Sequence, residues 1–332
     1  MAANLTPQYL KAEEAYRRAQ TPDEELRWLE VMLREMPKHK ASEKMQAELK
    51  TKISRTRKEA EVHRAAAAKK GVPGIRIPRQ GAGRIMIVGG PNTGKSSLIR
   101  ALTRATPEVA PYPFTTREPT PAMMPWEDVS VQLIDTPPIT ADVFHSEILG
   151  LIRGADLVWL TVDLAVDEGI EDLSAVLAQF AAGKTRLANE SHLDEEDFGI
   201  SYTKTILVAN RCDAEGATER LELLHELLPL TFPEYLVASE HGTGLPELRE
   251  ASYKSLDVVR AYTKIPTAKQ ADYDKPFTLR RGSTVLDLAE QIHNDVAASF
   301  KHARIWSQQM QGISTVGPDY VLHDKDVVEV HS

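Results

Sequence analysis

The chain has 332 residues, 42% of them hydrophobic and 27% charged, and a formal net charge of −8. This length predicts two or three domains with at least one sizeable core. No apolar run approaches the roughly 18 residues of a membrane-spanning helix, and the N-terminus lacks a basic stretch followed by an apolar one. We therefore expect no membrane association and no signal peptide. The single cysteine, Cys212, excludes an intramolecular disulfide and predicts a cytoplasmic location.

The charge is distributed unevenly along the chain. Residues 1–80 carry 18 Lys and Arg against 11 Asp and Glu, a net +7, whereas residues 81–262 carry a net −14 and residues 263–332 a net −1. The pattern of elements changes at the same places. We predict a helical basic N-terminal arm and linker (1–80), a middle domain (81–262) and a small C-terminal domain (263–332). The basic arm either contacts RNA or is a solvated helical face with surplus lysine.

Three helices are predicted in the N-terminal arm. Thr6 and Thr21 each precede a proline, a combination typical of an N-cap and a first helical position. The third stretch, from about Ser42 to Lys69, is mostly polar and basic and is therefore not a core element. It either packs as a hairpin on its neighbour or lies on an anionic surface.

The middle of the chain alternates between apolar runs and helical patterns. Such alternation predicts a doubly wound α/β sheet, and the polar, acidic stretch at 182–202 predicts a surface insertion. The predicted strands are 85–88, 129–134, 157–162, 205–209 and 235–238, and the predicted helices are 95–104, 141–153, 170–180, 217–227 and 245–262.

The last 70 residues have a different pattern, with a strand at 277–279, a helix capped by Thr284, and strands at 303–306 and 327–330. Val285, Leu288 and Ile292 fall on one helical face. This order predicts a small α+β domain.

A phosphate-binding loop is predicted between the first strand and helix of the middle domain. Residues 89–96 fit the pattern G-x-x-x-x-G-K-[ST], whose glycines let backbone N–H groups surround phosphate oxygens. Lys95 is expected to reach the β- and γ-phosphates, as the main catalytic cation. The predicted nucleotide contacts of this loop are Gly90, Pro91, Asn92, Thr93, Gly94, Lys95, Ser96 and Ser97.

Three oxygen-bearing side chains are predicted to hold Mg²⁺. They are the hydroxyl of Ser96, the hydroxyl of Thr116 in the sequence Tyr-Pro-Phe-Thr-Thr, and the carboxylate of Asp135 in Asp-Thr-Pro-Pro. Thr116 is also expected to sense the γ-phosphate during catalysis.

Two further strand ends predict that the bound base is guanine. Asn210-Arg211-Cys212-Asp213 resembles N-K-x-D, in which the aspartate accepts two hydrogen bonds from guanine. Adenine offers no such pair of donors, so Asp213 disfavours an ATPase. Arg211 keeps a planar cation that can lie along the base. Ala238, Ser239 and Glu240 resemble the last guanine-contacting loop, with the N–H of Ser239 expected to meet guanine O6.

With these motifs in hand, the chain resembles the Obg-related GTPases, in particular the developmentally regulated GTP-binding protein branch with a C-terminal TGS domain. The resemblance rests on residues 37–40, 90–97, 112–116, 261–264, 282–289, 317–322 and 324–328, and it covers almost the whole chain. It implies GTP or GDP as ligand, a β-grasp fold for the tail, and work near RNA or the ribosome. It also implies that Asn92 helps to place a K⁺ ion, although an asparagine that satisfies loop N–H groups has the same pattern.

Two departures from the family pattern put hydrolysis in doubt. Pro138 replaces the glycine of D-x-x-G and has no N–H to offer the γ-phosphate. Ile139 stands where other GTPases carry a catalytic glutamine. Two hypotheses follow: a slow GTPase switch acting on the ribosome or structured RNA, or a guanine-nucleotide-binding regulatory module with little or no hydrolysis.

Overall fold

The computed structural model describes nine stretches of the chain, and within them the backbone alone for residues 43, 62–70 and 146–147. The stretches are 6–19, 21–37, 43–70, 77–103, 119–140, 146–194, 200–268, 270–307 and 312–332. Within these residues no helix has both the length and the apolar character to cross a membrane.

The N-terminal arm is helical, as predicted. Its helices are α1 (Pro7–Arg17), α2 (Pro22–Glu35) and α3 (Glu43–Lys70). Both predicted caps are confirmed, because the N–H of Tyr9 donates to Thr6 Oγ1 at 3.1 Å and that of Glu24 to Thr21 Oγ1 at 3.2 Å. Helix α3 packs on α2 as a hairpin. The apolar residues of the three helices form one cluster, which includes Tyr9, Tyr16, Leu29, Met32, Leu49 and Ile53.

The middle domain is built on one twisted sheet in the order β2-β3-β1-β4-β7-β5, with β6 and β8 also paired to β7. All described pairs are parallel except β2 with β3 and β6 with β7. The strands are β1 (Arg84–Gly89), β2 (Thr120–Trp126), β3 (Val129–Asp135), β4 (Leu157–Asp163), β5 (Thr185–Ala188), β6 (His192–Leu193), β7 (Ser201–Asn210) and β8 (Glu234–Val237).

Helices cover both faces of this sheet. They are α4 (Lys95–Leu102), α5 (Ser146–Arg153), α6 (Glu168–Ala182), α7 (Ala217–Leu227) and α8 (Leu245–Ser255). Strands β1 and β4 are buried along their whole length, and their alternate side chains enter two separate apolar clusters, one on each face. The predicted doubly wound α/β fold is thereby confirmed.

Two predictions for this domain were wrong. The helix expected to run to Tyr262 ends at Ser255, and a turn at Asp257, with φ of 51°, leads into strand β9 (Val258–Thr263). The stretch around 182–202 is not a mere surface insertion, because β5 and β6 extend the sheet along β7 and Leu193 packs against the N-terminal helices. The acidic residues 195–197 and the first residues of the helix predicted at 141 lie outside the described part of the chain.

The C-terminal domain is a mixed five-stranded sheet in the order β10-β9-β13-β11-β12 with helix α9 on one face. The first and last strands, β9 and β13, pair in parallel, as expected for a β-grasp fold. The remaining elements are β10 (Asp272–Arg280), α9 (Val285–Ile292), α10 (Asn294–Ala298), β11 (His302–Trp306), β12 (Ile313–Val316) and β13 (Asp326–His331). The predicted cap of α9 is confirmed as a capping box between Thr284 and Asp287. Because β9 belongs to this sheet, we propose that the domain begins near Val258 rather than at residue 263.

Charged side chains connect the three parts, and two of the junctions bring several of them together. Arg260 of β9 donates to Glu127 Oε2 at 2.5 Å and Asp128 Oδ1 at 2.7 Å in the turn between β2 and β3, and to Asp324 Oδ2 at 2.7 Å. Asp156, just before β4, is paired with three arginines, one from each neighbouring segment: Arg18, Arg79 and Arg280.

Candidate nucleotide-binding site

The predicted phosphate-binding loop lies between β1 and α4, at the carboxyl end of the sheet. Gly94 and Asn92 both adopt the left-handed conformation, with φ of 83° and 56°. A Cβ atom at Gly94 would lie 2.1 Å from Asn210 Nδ2. The loop therefore requires glycine at this position both for its backbone conformation and for space.

Lys95 is buried against the loop that it follows. Its Nζ donates to the carbonyl oxygen of Gly90 at 2.5 Å and that of Gly89 at 3.2 Å. Burial lowers the pKa of Lys95 to about 8, an effect that the nearby carboxylates of Asp135 and Asp172 oppose. The cation is thus held at the loop with incomplete charge compensation, as a binder of phosphate requires.

Ser96 and Asp135 come together, as predicted for a metal site. Ser96 Oγ donates to Asp135 Oδ2 at 2.6 Å. The other carboxylate oxygen, Oδ1, is buried and has no hydrogen-bond partner among the described residues. Burial also raises the pKa of Asp135. A hydroxyl beside a desolvated carboxylate with a free oxygen fits the all-oxygen ligand set that Mg²⁺ prefers.

The loop after Asp135 is fastened to β1. Thr136 Oγ1 donates to the carbonyl oxygen of Ile87 at 2.7 Å, and the N–H of Ile139 donates to that of Gly89 at 3.1 Å. The side chain of Ile139 is 2% exposed and belongs to the apolar core, while Pro138 is exposed. An aliphatic side chain turned into the core cannot position a water molecule.

Asn210 joins three loops of the site. Its Nδ2 donates to the carbonyl oxygen of Thr93 at 3.0 Å, and its Oδ1 accepts the N–H of Ser239 at 3.2 Å. Asn210 is fully buried, and its side-chain nitrogen and oxygen both have hydrogen-bond partners inside the protein. The phosphate loop, the end of β7 and the end of β8 therefore form one rigid frame.

The bond from Ser239 differs from our expectation for that residue. The N–H that we expected to contact guanine O6 is taken up by Asn210. Ala238 is buried, and Glu240, whose N–H follows along the same loop, is exposed.

The remaining residues of the predicted base site lie beside this frame. Arg211, at φ of 60°, forms an ion pair with the buried carboxylate of Asp163 at the end of β4. Asp213 is partly exposed, and its Oδ2 lies 2.5 Å from Nδ1 of His241. The residues predicted to contact the base thus meet where β4, β7 and β8 end.

Two side chains at the site carried no sequence signal. Asp172 of α6 lies against Gly90, with its Cβ 2.8 Å from where a Cβ on that glycine would be. His241 contacts Asp213 from the loop after β8. Neither belongs to a motif, and only the packing of α6 and the position of the loop after β8 bring them to the site. Thr116, expected at the metal, lies outside the described residues.

Comparison with known proteins agrees with this geometry. Residues 84–199 match the model of a family described as 50S ribosome-binding GTPase, and residues 259–332 match the TGS domain. The chain therefore combines a P-loop GTPase domain with a second, C-terminal domain, and it is similar to the developmentally regulated G-proteins. Its C-terminal part is a TGS domain.

Relatives share nearly the full length of this GTP-binding protein. An uncharacterised GTP-binding protein of Methanocaldococcus jannaschii is 27% identical over 93% of this chain and 92% of its own. Developmentally-regulated G-protein 1 of Arabidopsis thaliana is 26% identical over 92% of this chain and 90% of its own. The likeness therefore extends over nearly the whole of each chain.

A solved structure shares the fold. The YchF GTPase of Schizosaccharomyces pombe superimposes with a TM-score of 0.50 at 15% identity, covering 76% of this chain and 99% of that one. At this identity the likeness concerns the fold alone.

Proposed function

We propose that this GTP-binding protein is a slow GTPase that acts on the ribosome or on structured RNA. The observation that carries the proposal is the frame around Asn210, which ties the phosphate loop to both base-contacting loops. Such a frame positions a phosphate chain and a purine at a fixed separation. The names of the relatives, GTP-binding protein and developmentally-regulated G-protein, support the same ligand.

In this proposal each part of the site has one task. Backbone N–H groups of residues 90–97 bind the phosphates, with Lys95 as the cation at the β- and γ-phosphates. Asp213 accepts two hydrogen bonds from guanine, and Arg211 lies along the base. Because Ser239 is engaged by Asn210, the N–H of Glu240 becomes our proposed donor to guanine O6.

Mg²⁺ is the proposed metal, held by Ser96, Asp135 and Thr116. The buried, unpartnered oxygen of Asp135 supports this assignment. When bound, the ion supplies positive charge that offsets charge developing on the phosphates. Asn92, exposed at the rim of the phosphate loop, is the proposed ligand of a K⁺ ion with the same effect.

A second function, regulation by nucleotide occupancy with little or no turnover, is favoured by the loop after Asp135. Ile139 is buried in the core, and its N–H is bonded to Gly89. Pro138 has no N–H to offer a γ-phosphate. A loop fastened in this way has little freedom to respond to the loss of that phosphate.

Single-turnover hydrolysis separates the two functions. GTP cleavage is measured in K⁺ and in Na⁺, with and without ribosomes. A slow GTPase cleaves in at least one condition, and K⁺ use predicts faster cleavage in K⁺ than in Na⁺. Absence of cleavage in every condition, with GTP binding intact, would exclude the slow GTPase and leave the occupancy module.

The positive charge of the N-terminal arm supports the proposal that the partner is RNA or the ribosome. The outer face of α3 carries exposed cations, among them Lys50 and Lys58, while its inner face packs on α2. Replacing both lysines by glutamine should weaken binding to ribosomes or RNA. It should also lower the number of counterions released on binding, which the salt dependence of the affinity measures, by roughly one to two. The matched control replaces two exposed lysines of the middle, GTPase domain (the G domain), Lys184 and Lys254. Equal losses in the two variants would argue against the arm as the contact.

A further inference from the structure

We propose that His241 is a specificity-determining positioning residue that orients the Asp213 carboxylate toward guanine. This inference rests on the proposed guanine nucleotide site. The observation behind it is the 2.5 Å contact between His241 Nδ1 and Asp213 Oδ2, across 28 residues of sequence.

The backbone on both sides of this contact is fixed. In the loop of His241, the N–H groups of His241 and Gly242 donate to the carbonyl oxygen of Ala238 at 3.1 and 2.8 Å, and the N–H of Ala238 donates to the carbonyl oxygen of Thr243 at 3.0 Å. In the loop of Asp213, the N–H of Cys212 donates to the carbonyl oxygen of Val237 at 3.1 Å. The remaining freedom at Asp213 is rotation of its side chain.

Asp213 needs a partner to limit that rotation. Its side chain is 39% exposed, so packing does not hold it. Arg211, the nearest cation in sequence, is paired with Asp163 instead. Ala238 has a methyl group and no donor. Within the described part of the chain, His241 supplies the one side-chain hydrogen bond to Asp213.

The contact is compatible with base binding. An ionised carboxylate has about four lone-pair sites, of which His241 occupies one on Oδ2. The remaining sites accept the N1–H and the exocyclic amine of guanine. His241 therefore acts as an orienting group behind Asp213, and the bidentate geometry that distinguishes guanine depends on it.

The proposal is tested by nucleotide selectivity. Dissociation constants of GDP, of inosine diphosphate, which lacks the exocyclic amine, and of ADP are measured for the wild type, His241→Ala and His241→Asn. We expect His241→Ala to weaken GDP binding about tenfold and inosine diphosphate binding by much less, so that the ratio between the two falls. His241→Asn, whose amide can still donate to Asp213, should recover most of the ratio.

Other outcomes separate this inference from the proposed function. An unchanged ratio between GDP and inosine diphosphate in His241→Ala, or equal weakening of both, would overturn the role of His241. Failure of the wild type to prefer GDP to ADP, or failure of Asp213→Asn to shift preference toward xanthosine diphosphate, would instead overturn the guanine site itself. Thermal unfolding of each variant verifies its fold, and the 70% exposure of the histidine side chain predicts little change there.

Discussion

At the scale of single residues, the buried polar groups of the site differ in how completely they are hydrogen-bonded. Asn210 is buried, and both the nitrogen and the oxygen of its side chain are hydrogen-bonded. Asp135 is also buried, but one of its carboxylate oxygens has no partner among the described residues. Satisfied groups give a rigid frame, and an unpartnered oxygen is a position for a ligand. Lys95 combines both properties, because it is hydrogen-bonded and yet short of counter-charge.

The lowered pKa of Lys95 predicts that GDP affinity depends on pH. Burial lowers this pKa to about 8, so the charged fraction of Lys95 falls as pH rises through that value. Since phosphates bind the charged form, affinity should fall by up to about tenfold between about pH 7 and 9. Calorimetric titration over this range measures the effect.

Lys95→Arg is the matched control for this titration. Its guanidinium stays charged throughout the range, so its affinity, although lower, should not vary with pH. The same slope in both proteins would mean that another group is titrating.

At the scale of elements, strand pairing and helix packing place the loops. β2 was missed from the sequence because Pro121 and Pro125 interrupt its pattern, and the structure tolerates them since β2 is the edge strand of the sheet. β9 was missed because its apolar residues continue a helical pattern, and its parallel partner β13 is more than 60 residues away. Helix α3 is polar overall and holds its place through a few buried residues.

Leu49 provides a test of the packing between α3 and α2. Its side chain is fully buried in the cluster of the N-terminal arm. Leu49→Ala should lower the free energy of unfolding of the arm by about 2–4 kcal/mol, through lost burial and the cavity that remains. Hydrogen exchange of α1 to α3 measures this change. Lys50→Ala, one residue on and exposed, should change it by less than about 0.5 kcal/mol. Equal protection in both variants would contradict the hairpin packing.

At the scale of the whole molecule, the three parts are joined through charged side chains. Arg260 reaches the turn between β2 and β3, and β3 carries Asp135 at its other end. Asp156 forms ion pairs with arginines of the N-terminal arm, the linker and the TGS domain. The TGS domain is therefore fixed to the G domain at two places, one of which is the hairpin that ends at the proposed metal site.

Arg260→Met tests the first of these junctions. The Arg260 side chain is 4% exposed, but its carboxylate partners are 25–49% exposed, so the loss should be at the lower end for a buried pair, about 2–3 kcal/mol. Urea denaturation measures the free energy of unfolding. Arg281→Met, which removes an exposed pair with Asp257, should cost less than about 1 kcal/mol.

The cost of Arg260→Met should also depend on pH. The hydrogen bond from Arg260 holds the pKa of Glu127 below its usual value. The stabilisation is therefore fully present above the usual pKa of a glutamate, about 4.3, and is lost as pH falls through the lowered pKa of Glu127. The difference in stability between variant and wild type should shrink in acid, and a constant difference would show that packing rather than charge holds the junction.

The sequence alone determined the doubly wound fold, the phosphate-binding loop and the residues that predict guanine. It could do so because residues 89–96 and 210–213 are contiguous motifs, whose chemistry follows from residue type, spacing and position at a strand end. The tertiary structure decided the rest. It showed that β9 joins the C-terminal sheet, that the N–H of Ser239 donates to Asn210, and that His241 is hydrogen-bonded to Asp213. These relations join residues distant in sequence, and only the pairing of strands brings them into contact.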